Sequence, residues 1–316
     1  MDLSIVVVSY NSWVDLEPCL EAIARTVALD HEVIVVDNAS SDGTVARLGA
    51  RFPGARVIAN AANAGFARAN NQGIEVSSGR DILLLNPDTE VGPGAVARMA
   101  EVLATQPRIG IVGCRLLNTD GTTQYSWRSQ ASLLWWAASR VLGLEGLVRS
   151  LHIRRMDAAR RRAAAGEIIY VEEIMGACLM VRRAVVEDIG GLDERIFMSL
   201  EDSEFCRRAA RAGWDVAYAG DVTVTHHGGR SARGNLGQAL TEYYRSEMYF
   251  VRLYHGRVGA IVHRLLLVGE CALKGTVTLV RVALGRSEER ARLRAYRATL
   301  RSALTWGGPA LSSGAR

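Results

Sequence analysis

Four stretches of this 316-residue sequence carry groups able to do chemistry, three of them where an apolar run stops. Leu83-Leu84-Leu85 runs into Asn86-Pro87-Asp88-Thr89, and Val33-Ile34-Val35-Val36 runs into Asp37. Val222 to Thr225 leads into His226-His227-Gly228-Gly229, and Glu201-Asp202-Ser203-Glu204 opens a helical stretch that stops at Gly213. Short continuous apolar runs are the pattern of strands buried on both faces of a parallel sheet. Ligands of open α/β sheets gather at the carboxyl ends of such strands. Asp88 there could hold a divalent cation against phosphate, and Asp37 could contact the same ligand. One carboxylate of Glu201-Asp202 could serve as a general base. His226 could bind a metal through neutral imidazole. Carboxylate, imidazole and diphosphate oxygens together suit Mn²⁺ or Mg²⁺.

Each of these features also has a plainer reading. Asn-Pro-Asp is ordinary turn chemistry. Ser41 or Asp42, just past Asp37, suits a helix cap. Acidic residues in a first helical turn answer the macrodipole, which accounts well for Glu204. A single histidine is more often a satisfied core or surface residue than a ligand.

Positioning these groups requires a regular scaffold. The pattern predicts strands at 5–8, 32–36, 56–59, 81–85 and 109–114. Helices are expected over 14–27, after the polar turn Asp37 to Thr44 as far as about Arg51, from Phe66 through Gly73, and over 94–103. Strand and helix alternate, so the first ~110 residues read as a βαβ series with a parallel sheet. Further strands are expected at 172–181, 214–218 and 222–225, a turn at Gly190-Gly191-Leu192-Asp193, and a helix over 201–212. The first strand is not followed by Gly-x-Gly-x-x-Gly, and there is no Gly-Lys-Ser/Thr loop. Dinucleotide-dehydrogenase and P-loop chemistry lose their main support with those motifs.

The composition is that of a chain able to build a large core, with 49% hydrophobic and 22% charged residues. The net charge of +5 is uneven. From Arg257 to Arg316 eleven basic residues face three acidic ones, a local +8, so residues 1–256 carry −3. Charge confined to the tail, with no recognition motif, argues against a nucleic-acid binder. Five cysteines without a Cys-x-x-Cys pair suggest reduced, buried thiols in a cytoplasmic setting. The N-terminus has no basic region or cleavage site of a secretion signal.

Taken in order, eight segments resemble glycosyltransferase family 2, and its rhamnosyltransferase-like members in particular. They are Val7-Val8-Ser9-Tyr10-Asn11, Val35 to Thr44, and Asn63-Ala64-Gly65-Phe66-Ala67 with Asn70-Asn71-Gly73. The others are Leu85-Asn86-Pro87-Asp88, Gly176 to Met180, Gly190 to Glu194, Glu201-Asp202, and His226 to Ser231. The resemblance implies a GT-A type α/β fold, a mostly parallel central sheet flanked by helices with a C-terminal helical extension. It implies an inverting transfer from a nucleotide-diphosphate sugar, with dTDP-L-rhamnose the first donor to consider and a galactofuranosyl or hexosyl donor the alternative. Tyr10, Asn11, Asp37, Asn63, Phe66, Asn70, Asn86 and Glu201 would then surround the donor. Asp88 and His226 would hold Mg²⁺ or Mn²⁺, and Asp202 would be the base. Asn86 stands where many relatives carry a second acid. A non-catalytic sugar-nucleotide-binding scaffold on a membrane is the reading from another class.

The expected organisation is a catalytic domain over 1–240, with a nucleotide-binding half to 115 and an acceptor half after it, and a basic helical extension over 241–316. Arg257, Arg264, Glu270, Lys274 and Arg281 fall within roughly 140° of a helical wheel. Opposite them lie Ile261, Val262, Leu265, Leu266, Leu273, Leu279 and Val280. This pattern predicts an amphipathic helix on a surface rather than a span. The surface would be the anionic inner face of the plasma membrane, where a lipid-linked or glycan acceptor is met. The plainer reading is a hairpin packed on the core with a solvated arginine face. The segment 127–165, with Trp127, Trp135 and Trp136, is a second candidate for membrane contact.

Overall fold

A computed structural model describes residues 1–124, 126–128, 142–228, 236–286 and 289–305. Strand β1 (Leu3–Ser9) is buried along its whole length. It lies between β2 (His31–Asp37) and β4 (Asp81–Leu85), parallel to both, and β3 (Arg56–Ala59) extends the sheet beyond β2. Helices α1 (Trp13–Thr26), α2 (Thr44–Arg51) and α3 (Phe66–Glu75) make the crossovers. The covering helices explain why the strands are apolar without alternation. α3 packs hard on β1: a Cβ on Gly73 would come within 2.4 Å of Val6 Cγ1. The registers Ser9↔Asp37 and Val7↔Leu85 align the carboxyl ends of β1, β2 and β4 along one edge.

The second half of the sheet is mixed. After β5 (Thr89–Val91) and α4 (Ala95–Thr105) come β6 (Ile109–Leu117), the short β7 (Trp127–Arg128), α5 (Glu145–Ala164), β8 (Ile168–Tyr170), β9 (Glu173–Ile174) and β10 (Cys178–Arg182). Then follow α6 (Arg183–Ile189), α7 (Glu201–Arg211) and β11 (Asp215–His226). The main order is β3-β2-β1-β4-β10-β6-β11-β5. β10 is antiparallel to both β4 and β6, so it delivers its first residues to the carboxyl end of β4. β5 begins four residues after β4 ends, yet pairs antiparallel with β11, three strands away in the ladder. Three strand spacings are about 14 Å, the full reach of four extended residues. Because residues 86–88 form a turn, the end of β11 must curl toward β4. It does so beyond a register break between Ala219 and Thr223.

The strand expected over 172–181 is interrupted at Met175-Gly176-Ala177, and the two expected at 214–218 and 222–225 are one irregular strand. Trp127 is not a membrane contact. It is buried, paired through β7 to Ile174, with its ring 5.9 Å from that of Tyr218. Trp135 and Trp136 lie outside the described residues. All five cysteines are buried.

Contacts divide the chain into two compact units. One comprises Met1–Ser129, Asp157–Phe197 and Glu201–Ser231; the other comprises Gln130–Met156, Met198–Leu200 and Ala232–Arg316. In the second, α8 (Leu236–Ala283) breaks at Gly256, whose φ of 65° and ψ of −163° are not helical. Tyr244 Oη donates to Glu270 (3.0 Å), and Glu247 meets His263 (3.4 Å). Both pairs straddle Gly256 symmetrically, so α8 is a hairpin of two arms. Helix α9 (Arg290–Thr305) packs against it around Tyr244, Leu267, Cys271 and Ala303.

The second arm is inverted relative to a soluble helix. His263, Glu270 and Cys271 are buried, and Lys274 reaches Glu270 at 2.9 Å. Val258, Ile261, Leu265, Leu273, Leu279 and Val280 are exposed. The extension is a helical hairpin, but the exposed face of its second arm is apolar where a solvated arginine face was expected. Among the described residues no helix is long and apolar enough to cross a membrane.

Candidate active site

The β1/β2 edge builds a polar pocket around Asp37, which is buried. Its Oδ2 accepts the Ser40 N–H at 3.0 Å, while its Oδ1 is buried with no hydrogen-bond partner. Asn38 organises the neighbouring loop. Its Oδ1 accepts from Ala64 N (2.9 Å) and Asn60 Nδ2 (3.1 Å), and its Nδ2 donates to Asn63 Oδ1 (2.8 Å). Asn11 closes the other wall: its N–H donates to Ser40 Oγ, and its Oδ1 accepts from Ser41 N at 2.7 Å. Tyr10, beside it, is exposed. Asp42 lies one residue before Gly43, the N-cap of α2; its carboxylate accepts from Thr44 N and Oγ1 and, across the loop, from Trp13 N at the start of α1.

Asp88 and His226 are brought together by the β5–β11 pairing. Thr89 registers with His226, and His227 N donates to the Asp88 carbonyl at 2.9 Å. His226 Nε2 then stands 3.3 Å from Asp88 Oδ1, and His227 pairs instead with Glu90 at 2.7 Å. Burial alone would raise the Asp88 carboxyl. The His226 hydrogen bond and charge outweigh it and hold the group below the ordinary carboxylate range. Asn86 Oδ1 is buried with no hydrogen-bond partner. Beneath the turn, burial pushes the Cys19 thiol up to about 12, so it packs rather than reacts.

Two neighbouring octahedral ligands at ~2.1 Å from an ion lie about 3.0 Å apart, close to the Asp88–His226 spacing. The pair of carboxylate and imidazole therefore fits Mg²⁺ or Mn²⁺. Among the described residues no cluster of three or more His, Cys, Asp or Glu could hold a metal. Asp88 and His226 are a pair of such groups.

Asp202 sits in the first turn of α7. Its Oδ2 accepts Gly176 N–H at 2.8 Å and its Oδ1 accepts Ser203 N–H at 2.7 Å. The contact falls at the interruption before β10 and is close-packed: a Cβ on Gly176 would lie 3.3 Å from that of Asp202. The next residue, Ala177, accepts Asn86 N–H at 3.0 Å. Two consecutive residues, Gly176 and Ala177, thus link the Asp202 carboxylate to the turn that carries Asp88. Ser199 and Leu200, just before α7, both have left-handed φ (70° and 71°), a strain found at functional sites. Ser246 Oγ holds the adjacent Met198 carbonyl at 2.9 Å.

Other residues singled out by the sequence hold the scaffold. Asn70 is buried and donates to the Phe66 carbonyl of its own helix. Asn63 bonds Asn38 and Gly65, Phe66 N donates to Phe197 O, and Glu201 is buried beside Asp202. Glu204 binds Arg208, which also donates to Gly191 O. Asn71 clamps Leu192 through both its amide atoms. Ser231 lies outside the described residues. Gln124, which the sequence did not single out, contacts the His226 ring at 2.8 Å.

The pattern of glycosyl transferase family 2 matches residues 4–190, more than half of the chain. The chain belongs to glycosyl transferase family 2. Over 303 residues it is 28% identical to the N-acetylglucosaminyl-diphospho-decaprenol L-rhamnosyltransferase of Mycobacterium tuberculosis, covering 91% of this chain and 96% of that one. A hexosyltransferase of low-salt glycan biosynthesis from Haloferax volcanii is 27% identical, covering 72% and 67%. A mannosyltransferase from Pyrobaculum calidifontis, solved with GDP-Man and Mn²⁺, superposes with a TM-score of 0.53 at 17% identity, covering 96% and 87%. That likeness bears on the fold alone and identifies this family 2 transferase as GT-A-like.

Proposed function

We propose that this family 2 transferase moves a sugar, L-rhamnose from dTDP-L-rhamnose first among candidates, onto a hydroxyl of a polyprenyl-diphosphate-linked acceptor, inverting the anomeric centre. The observation that carries this reading is the convergence of Asp37, the Asp88–His226 pair and Asp202 on one edge of the sheet. The mycobacterial relative supports the choice of sugar and lipid-linked acceptor, because the similarity runs through nearly all of both chains.

Each residue has a distinct task. The buried, unpartnered Asp37 Oδ1 accepts a hydrogen bond from the base or ribose of the donor. Asp88 and His226 would hold Mg²⁺ or Mn²⁺, which when bound neutralises the charge growing on the leaving diphosphate. Asp202 takes the proton of the acceptor hydroxyl as that oxygen attacks the anomeric carbon opposite the diphosphate. The N–H groups of Gly176 and Ser203 fix the carboxylate while leaving it lone pairs for that proton.

The inverted second arm of α8 supports work at an anionic membrane from the cytoplasmic side. An exposed apolar face (Ile261, Leu265, Leu273) costs free energy in water and gains it at an interface. The same extension exposes Arg257, Arg281, Arg290, Arg294, Arg297 and Arg301, and a basic residue contributes about 1 kcal/mol when near an anionic leaflet.

The test is transfer from a panel of labelled nucleotide sugars to an extracted lipid-linked acceptor, with and without EDTA. Transfer of rhamnose alone, abolished by EDTA, is expected. Transfer of another sugar would replace the donor, and full activity in EDTA would remove the metal. Failure with every donor would leave the scaffold reading.

A further inference from the structure

We propose that Gln124 is a positioning residue. It holds the Nδ1–H form of the His226 ring, so that Nε2 always presents its lone pair, or a proton in its place, toward Asp88. This rests on the metal-holding role given above to Asp88 and His226.

The argument is one of hydrogen-bond direction, and it starts at the turn after β6. Asp120 Oδ1 accepts from Thr122 Oγ1 at 2.6 Å and from Thr122 N at 2.9 Å. Those two bonds hold the Asp120 carboxyl below its ordinary range, so at neutral pH it can only accept. The Thr122 hydroxyl has one proton and it points at Asp120. Its oxygen must therefore accept from Asn118, whose Nδ2 lies 2.8 Å away. That sets the Asn118 amide with Oδ1 on its other side, where it accepts from Gln124 Nε2 at 2.8 Å. The same Gln124 nitrogen donates to the His226 backbone carbonyl. Two acceptors on one side of the Gln124 amide leave its Oε1 no choice but to face the ring, 2.8 Å from Nδ1. A carbonyl oxygen cannot donate, so Nδ1 carries the proton.

The consequence falls on Nε2, 3.3 Å from Asp88 Oδ1. Two lone pairs at that distance repel unless a positive charge lies between them. The site is therefore arranged to hold a cation, a proton or a metal ion, between two groups that otherwise repel. Ligating histidines are oriented by a hydrogen bond to the second ring nitrogen, and loss of that bond weakens metal affinity by about 10–100-fold. Here the orienting group is a neutral amide, locked from behind by a turn unrelated in sequence to the motifs around it.

Nitrogen-15 NMR of histidine-labelled, metal-free protein reads the ring directly, and Mn²⁺ titration followed by electron paramagnetic resonance reads affinity. In the wild type, the neutral ring should carry its proton on Nδ1. Gln124→Leu should shift the neutral ring toward the Nε2–H form and weaken Mn²⁺ binding about 10–100-fold. Gln124→Glu still offers an acceptor to Nδ1, so it should keep the wild-type tautomer even if its thermal stability falls. An unprotonated Nδ1 in the wild type, or a Gln124→Leu ring unchanged in tautomer and Mn²⁺ affinity, would overturn the proposal. A wild type that keeps Nδ1–H but binds no Mn²⁺ would instead defeat the metal reading and leave Gln124 as the residue that orients the ring.

Discussion

Replacing Asp202 with asparagine tests the base with the least change in shape. The Asp202 carboxylate accepts two backbone N–H groups, Gly176 to Oδ2 and Ser203 to Oδ1. An amide has one oxygen, so its nitrogen must face one of those donors. The expected structural cost is one broken, partly buried hydrogen bond, about 1–3 kcal/mol, and the partial exposure of Asp202 favours the lower end. That is a fall of roughly 2–12 °C in melting temperature for a unit of this size. Chemistry should suffer more. Loss of a positioned general base costs about 10²–10⁴-fold in rate, or about 2.7–5.4 kcal/mol. Donor affinity should stay within a few-fold, because Asp37, Asp88 and His226 are untouched. Single-turnover transfer from saturating donor, calorimetric donor binding and a melting curve separate the three quantities. If turnover remained within tenfold of the wild type while donor binding was unchanged, Asp202 would not be the base. If donor binding collapsed, the variant would have perturbed the pocket and the base would have to be sought through Gly176.

Asp88→Asn should abolish Mn²⁺ binding seen by electron paramagnetic resonance while leaving the fold intact by circular dichroism; retained binding would place the ion elsewhere. Gly73→Ala drives a methyl into Val6 and should destabilise by about 1–3 kcal/mol in urea unfolding, with little effect on donor affinity. For Glu32, burial would raise the carboxyl, but hydrogen bonds from Ser4 Oγ and from Ser78 N–H and hydroxyl lower it. A depressed carboxyl stabilises above its unfolded value and ceases to do so as pH falls through its folded value. Wild type should therefore be more stable than Glu32→Gln at pH 7, and the gap should close below about pH 4; a gap that widened in acid would contradict this. Replacing Ile261, Leu265 and Leu273 together by serine should weaken sedimentation with anionic vesicles without lowering the melting temperature, because those side chains are exposed.

Much of the first half of the molecule was legible in the sequence. A strand buried on both faces has to be apolar without interruption, so Ile5–Val8, Val33–Val36 and Ile82–Leu85 declared themselves. Their ends marked Asp37 and Asp88. The broken strand at Gly176 was not legible, because an apolar run looks the same whether or not a backbone N–H leaves the ladder to bind a carboxylate. β5 was too short to show periodicity. That the Asn70 amide donates to the Phe66 carbonyl of its own helix was not legible either, since an asparagine in a motif looks alike whether or not it bonds its own backbone.

The sequence by itself pointed to the family, through the resemblance of eight ordered segments, and it determined the parallel half-sheet, the carboxylates at its edge and the amphipathic character of the extension, because these last are local properties of residue type and period. Only the tertiary structure decided which side of that helix faces outward, since the seam around Glu270 could be polar only once Tyr244 and Lys274 were there to satisfy it. It alone also joined Asp88 to His226 and His226 to Gln124, separated in the chain by 138 and 102 residues. Those contacts depend on how β11 curls back over the end of β4, and curvature of a sheet is a sum over its strands that no single segment records.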